Sequence, residues 1–394
     1  MRLALSYNSK VWTKIDDHTI VFDHNHGWPA PGWSLGFGKV ERMGSYGVAL
    51  EDPDGTIHSF AGTVNSYASG FTNFITYTTD GTFIDYFFQL LGGAFSTGYA
   101  KWPNGTVIDY GAASADGNEM YPTRIMDANG NYITITYRNN SGPQIDTIVD
   151  TLGRAIEFFY DSGGFLTAIV APGLQGNDRV VVRLQYKWLQ LNAAFSSQLQ
   201  PLSPDGAWVI AGIFLPGTAT GYWFGDANSY SPYGMIAKVS RRRGMTFSAS
   251  SLTDQGSLTA GSVDQIYNYP TGPDATLTDA PTYTQLGDTW ARIDVAPAVT
   301  SFSAAMDANP RRLDVFYPDN SHVTQLSYND QGNFDDALVF KQITSDASGK
   351  TVRTVTTTWE KGDEQSPRVK QIQVTDELGQ TTSTTYSYLP LLTN

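Results

Sequence analysis

The chain has 394 residues, of which 41% are hydrophobic, 13% aromatic and only 16% charged, enough apolar material for a core in one to three domains, which excludes a disordered chain. A formal net charge of −13 argues against an electrostatic grip on nucleic acid or anionic lipid, since both need a positive face. Cysteine is absent, so disulfides, thiolate metal sites and a cysteine nucleophile are excluded.

The N-terminal "MRLALSYNSKVW" has too short an apolar run for a signal peptide, and no window approaches the roughly 20 apolar residues of a membrane helix. Membrane insertion is therefore not expected. The chain opens directly into a strand pattern and stops at "SYLPLLTN", which reads as a segment of something longer. Asp16 to His26, "DDHTIVFDHNH", is the densest ligand-capable stretch. On a strand, His24 and His26 share a face as an i, i+2 pair able to meet one zinc ion, with His18 or Asp23 as a third ligand. The plainer reading is a set of exposed polar residues near a loop, and no cofactor is expected.

A regular pattern begins at "DPDGTIHSF" (52–60) and continues through "TDGTFIDY" (79–86), "PNGTVIDYG" (103–111), "DANGNYITITY" (127–137) and "DTLGRAIEFFYD" (150–161). Their glycines, Gly55, Gly81, Gly105, Gly130 and Gly153, are separated by 26, 24, 25 and 23 residues. That spacing accommodates two strands of ordinary length and their turns, so each unit reads as one hairpin added to an antiparallel sheet. In the fourth unit, Asn129 and Gly130 suggest a two-residue hairpin connection, because both tolerate positive φ. Ile133, Ile135 and Tyr137 then fall on one face, and Tyr132, Thr134 and Thr136 on the other, so the strand reads as half buried.

From Gly173 to Asn309 the period is lost among loop-like runs. Residues 179–190, "RVVVRLQYKWLQ", read as a long strand, with a short helix over 187–198 as the alternative. The basic run Arg241, Arg242 and Arg243 reads as a solvated strand end or turn. Turn-and-strand patterns return in "YPDNSHVTQLSYNDQG", "SDASGKTVRTVTTTW" and "TDELGQTTSTTYSY", whose threonines favour strands over helices.

The segment "FFYDSGGFLTAI", with Tyr160, Asp161, Gly164, Leu166 and Ile169, resembles one copy of the tyrosine-aspartate repeat of the Rhs family. A shifted copy stands at Tyr328 to Asn333, "YNDQGN". "GWSLGFGKVERM", Gly32 to Met43, resembles the Trp-Ser-Leu segment with which Rhs-type shells begin, and "YPTRIMDANGNYITITY" resembles their Asp-x-Asn-Gly-Asn strand pairs. The resemblance covers the first 170 residues well and the last 80 loosely. It implies a long antiparallel sheet spiralling into a hollow shell, which in several members encloses a C-terminal toxin released by self-cleavage. No autoproteolytic segment is recognised, and Asp52 to Gly55, the Asp-Pro-x-Gly run, reads as a turn.

Asp161-Ser162-Gly163 matches the Asp-Ser/Thr-Gly turn of aspartic proteases, but the required second turn is missing from the sequence. "DANGN" lacks the remaining positions of a calcium loop. Trp28 and Trp33, bracketing "PAPG", and Tyr222 and Trp223, in "GYWFG", offer flat faces for stacking on sugars, against the plainer reading that they pack turns onto the sheet.

These readings predict an all-β fold, a large twisted antiparallel sheet of stacked hairpins with few or no helices. The expected organisation is an N-terminal repeat region (1–172), an irregular loop-rich region (173–309) and a C-terminal repeat region (310–394). The expected function is a non-catalytic β-shell segment of a secreted or cell-surface Rhs-type protein. Its partner would be carbohydrate or an enclosed C-terminal polypeptide of the same longer chain. A carbohydrate-binding or adhesion module is the alternative. A β-rich glycosidase is the third reading and predicts two carboxylates about 5–10 Å apart in a groove. Extracellular or envelope location follows from the resemblance alone.

Overall fold

A computed structural model describes residues 3–23, 27–43, 47–58, 64–68, 71–78, 82–91, 94–203, 205–269, 280–281, 283, 285–290, 298–305, 308–330, 333–362 and 367–388. The chain is all-β as expected. Among the described residues there is no α-helix, only 3₁₀ turns at Arg138–Asn140 and Leu174–Gly176, and no helix is long and apolar enough to cross a membrane. The helix considered over 187–198 does not form: Asp178–Gln190 is a single long strand, followed by irregular backbone.

Described residues up to 283, with 289–290, form one compact unit; residues 285–288 and 298–388 form a second. In the first unit, antiparallel strands pair with their neighbours in chain order from Val64–Ala68 through Leu166–Pro172. The ladder then runs on through Asp178–Gln190, Gly206–Leu215, Thr220–Trp223, Lys238–Arg243 and Ser262–Asn268. Strand Lys39–Met43 pairs with Gly47–Glu51 and also joins the start of Glu119–Met126. The second unit is a shorter meander of the same kind, from Gln285–Trp290 to Thr381–Thr385.

Alternation builds the core. Tyr86, Phe88 and Leu90 are buried along one strand, Ile108, Tyr110 and Ala112 along another, and Ile133, Ile135 and Tyr137 along the strand of the fourth unit, all in one cluster. A smaller core, with Trp12, Ile20, Phe22 and Tyr233, sits under the hairpin of Trp12–Lys14 and Thr19–Phe22. No described apolar side chain of the second unit is fully buried, so that sheet rests more on its backbone ladder.

The turns share one backbone design. Asp127 N–H donates to Asn131 O, Gly130 N–H donates to Asp127 O, and Gly130 takes φ +84°. The same pair of bonds recurs at 52–56, 102–106, 150–154, 161–165, 317–321, 346–350 and 376–380, always with a positive φ at the fourth residue. This corrects the two-residue connection expected at Asn129-Gly130. Only Gly130 is left-handed, so the loop is the three-residue type I turn with a glycine bulge. The physical reason is Asp127, whose Oδ1 accepts from Asn129 N–H and Asn131 N–H and so holds the wider turn closed. Gly81 lies outside the described residues.

Candidate functional site

The Tyr-Asp pair does structural work. Asp161 Oδ1 accepts from Gly163 N–H and Phe165 N–H, each at 2.9 Å, and Gly164 supplies the positive φ of the turn. Leu166, fully buried, returns opposite Tyr160 in the ladder. The buried Tyr160 hydroxyl donates to Ile145 O one hairpin back, and Tyr137 makes the equivalent bond to Pro122 O at 2.7 Å. Burial pushes both phenols well above their ordinary range, so they remain protonated donors. Asp161-Ser162-Gly163 is thus a hairpin cap, its carboxylate also receiving Gln255 Nε2.

The four aromatics considered for sugar stacking do not form a platform. Trp28 is only 7% exposed, tilted against Phe158 and Tyr160 with centroids 6.3 and 6.4 Å away. Trp33 is equally buried, edge-on to Tyr7 and Phe224. Both therefore pack turns onto the sheet, because residues distant in sequence fill the space on either side. Trp223 is half-buried and donates Nε1–H to Asp226 Oδ1 at 2.9 Å. Tyr222 is exposed and lines an apolar pocket together with the buried Trp33.

His24 and His26 lie outside the described residues, and no group of three or more metal-ligating side chains occurs among those described. His18 sits with Nδ1 3.4 Å from Gln198 O. The arginine run is on strand Lys238–Arg243, where Arg241 faces Asp264 at 3.7 Å and Arg242 faces Asp226 at 3.6 Å, so carboxylates balance it.

The exposed aromatics that do converge are Trp188 and Trp208. They are direct partners across the strands Asp178–Gln190 and Gly206–Leu215, edge-to-face at 5.8 Å, and are 50% and 44% exposed. Phe165 stands 5.5 Å from Trp208 and 4.9 Å from the buried Tyr186, tying the pair to the core. A cleft of about 800 Å³ opens over them, lined also by Arg138, Asn139 and Gln144. Arg138 stacks over the Tyr160 ring at 4.4 Å and donates to Gln144 Oε1 at 3.0 Å, while Gln144 Nε2 donates to Gly164 O at 3.2 Å. Sequence reasoning passed over both tryptophans. The available signal was parity: Trp188 continues the inward positions of Leu184 and Tyr186, and Trp208 that of Ile210, one step past the last buried neighbour.

No protein-family model matches the chain, and no curated protein matches it. Among solved structures, it is similar to the N-terminal domain of effector protein SpvB from Salmonella typhimurium strain LT2, with 10% identity, TM-score 0.24, and 98% of this chain and 94% of that one covered. It is also similar to a chain of the Photorhabdus luminescens Tc holotoxin pore, with 9% identity and TM-score 0.26, and to one of a TcdB2-TccC3-Cdc42 structure, with 8% identity and TM-score 0.25. In both of these, 98% of this chain aligns with only 25% of the longer one.

Proposed function

We propose that this chain is a structural β-scaffold, a wall segment of the Rhs type that holds or encloses another polypeptide rather than transforming a small molecule. One observation carries the reading. Among the described residues, eight hairpin turns of a single five-residue design recur along antiparallel ladders, so the architecture is repetitive accretion of surface. The Tyr-Asp residues serve that accretion, the aspartate closing its own turn and the tyrosine bonding the hairpin before it. Secretion or display at the cell surface belongs to the same reading and rests on the family resemblance.

The test appends a fluorescently labelled, unstructured polypeptide after Asn394 and follows its cleavage by proteinase K. The same polypeptide on an unrelated compact carrier is the comparison. Enclosure predicts strongly slowed cleavage of the appended segment, because protease reaches only what opens to it. Equal cleavage rates on the two carriers would remove the enclosing role.

A further inference from the structure

We infer that the cleft over Trp188 and Trp208 is a binding site for a neutral oligosaccharide. The inference goes beyond the scaffold reading and does not depend on it.

Three features of the cleft point to this ligand class. First, the floor is apolar and preorganised. The ring of Trp188 lies over the backbone of Gly206, where a Cβ would come within 2.7 Å of the indole, and Trp208 abuts it edge-on. Both rings are thereby held while keeping about half their surface in solvent. A pyranose offers C–H groups on its faces and hydroxyls around its rim, which suits an indole floor with polar groups beside it. Ordering such rings in advance removes part of the entropy cost of binding.

Second, the polar groups of the cleft suit hydroxyls. Arg138 is fixed by the Tyr160 ring and Gln144, which leaves further guanidinium N–H groups to donate. Gln144 is itself oriented by Gly164 O, and Asn139, exposed with φ +54°, brings an amide that both donates and accepts. The volume, about 800 Å³, is in the range of small-molecule sites.

Third, no carboxylate lines the cleft among the described residues, and Arg138 is its one charged side chain. The usual glycosidase arrangement of two carboxyl groups flanking the bond is therefore not found among these residues, and the proposal is one of binding. A single guanidinium already engaged with an aromatic ring favours a neutral chain over a polyanionic one.

The experiment titrates the whole 394-residue chain with maltohexaose, cellohexaose and chitohexaose by isothermal calorimetry, with tryptophan fluorescence as a second readout. A decamer of proline is run alongside, since aromatic grooves also accept polyproline helices. The expected result is saturable binding of at least one hexaose, weakened about tenfold by Trp188→Ala or Trp208→Ala and less by Trp188→Phe, which keeps a stacking face. Tyr222→Ala, outside the cleft, is expected to bind as the parent does, and thermal melting confirms that each variant is folded. The inference is overturned by the absence of saturable binding to all three sugars, by binding that survives Trp188→Ala/Trp208→Ala, or by binding of the proline decamer alone.

Discussion

Gln255 donates its side-chain amide to the carboxylate of Asp161 at 2.6 Å, across 94 residues of chain. The bond joins a repeat turn to the hairpin of Thr246–Ser248 and Ser257–Thr259, whose connecting segment lies against the sheet. Arg183, only 9% exposed, donates from Nη1 to Ser251 O at 3.2 Å and Leu252 O at 3.1 Å, and its guanidinium lies 5.0 Å from the Phe247 ring. Thr167 adds a bond from Oγ1 to Leu252 O. The hairpin is thus clasped by one buried cation that collects carbonyls. Arg183→Met keeps the stem and removes the donors, and is expected to cost about 2 kcal/mol. Hydrogen exchange of amides 249–256 checks it: unchanged protection in the variant would show that the apolar contacts of Phe214, Met245 and Leu258 hold the hairpin unaided.

The fourth turn position provides a clean test of backbone conformation. Gly130 has φ +84° and nothing within 4 Å of where a Cβ would stand, so substitution there meets strain but no clash. Gly130→Ala is expected to cost about 1 kcal/mol. Gly130→Asn should cost less, because Asn320 already occupies the equivalent place at φ +64°. Urea denaturation of the two variants decides the matter. Equal losses for alanine and asparagine would mean that left-handed tolerance is not what this position selects.

Much of this architecture was legible in the sequence because its signals are local. The glycine corners and the alternation of Ile133, Ile135 and Tyr137 are properties of a few neighbouring residues, and the structure keeps them. The exact turn at Asn129-Gly130 was not, since the deciding interaction is the Asp127 carboxylate capping two N–H groups rather than the Asn-Gly dipeptide. Beyond residue 173 the period disappears although the ladder continues. Residues 191–205 and the clasped hairpin lengthen the connections without breaking the strand order. Burial of Trp28 and Trp33 depends on Phe158, Tyr160 and Phe224 arriving from far along the chain, and no local pattern announces that. The Trp188–Trp208 pair is a matter of register between strands, which a bulge at Gln185/Tyr186 helps to set.

The turn carboxylates predict an acid limb in stability. A side-chain bond from Asn131 leads the causes holding Asp127 below the ordinary carboxylate value, and backbone N–H groups add to it. Bonds from the side chains of Arg154 and Ser348 lead for Asp150 and Asp346, and those of Ser114 and Ser321 for Asp116 and Asp319. In Asp254, backbone N–H groups of Ser250 and Gly256 lead, and the value falls to about 2. A carboxyl depressed by folding contributes stability that is present above its unfolded value and is lost as pH falls through the folded one. The melting temperature should therefore hold level down to about pH 4 and drop steadily toward pH 2. A melting curve series across that window tests it, and a flat profile to pH 2 would show that the turns do not depend on ionised aspartates.

Lys39 tests a different kind of bond, a cation placed where two pieces of sheet meet. Its ammonium contacts Glu119 and lies 3.2 Å from Glu41 and 3.5 Å from Glu51, all largely shielded from solvent. Glu41 and Glu119 are direct partners in the short ladder between Lys39–Met43 and Glu119–Met126, a like-charge pairing that the lysine neutralises. Tyr121 adds a hydroxyl bond to the Glu119 carboxylate. Burial alone would lower the lysine's pKa, but the attraction of Glu119 and Glu51 outweighs it and raises the value. Its contribution is therefore complete at neutral pH and lost only as pH rises beyond the ordinary lysine range. Lys39→Met leaves three carboxylates facing one another and is expected to cost about 3 kcal/mol at neutral pH. Adding Glu119→Gln should restore part of that loss by removing one of the opposed charges. Urea unfolding of the single and double variants measures both, and a double variant no more stable than Lys39→Met would place the loss in packing of the lysine stem instead of in charge.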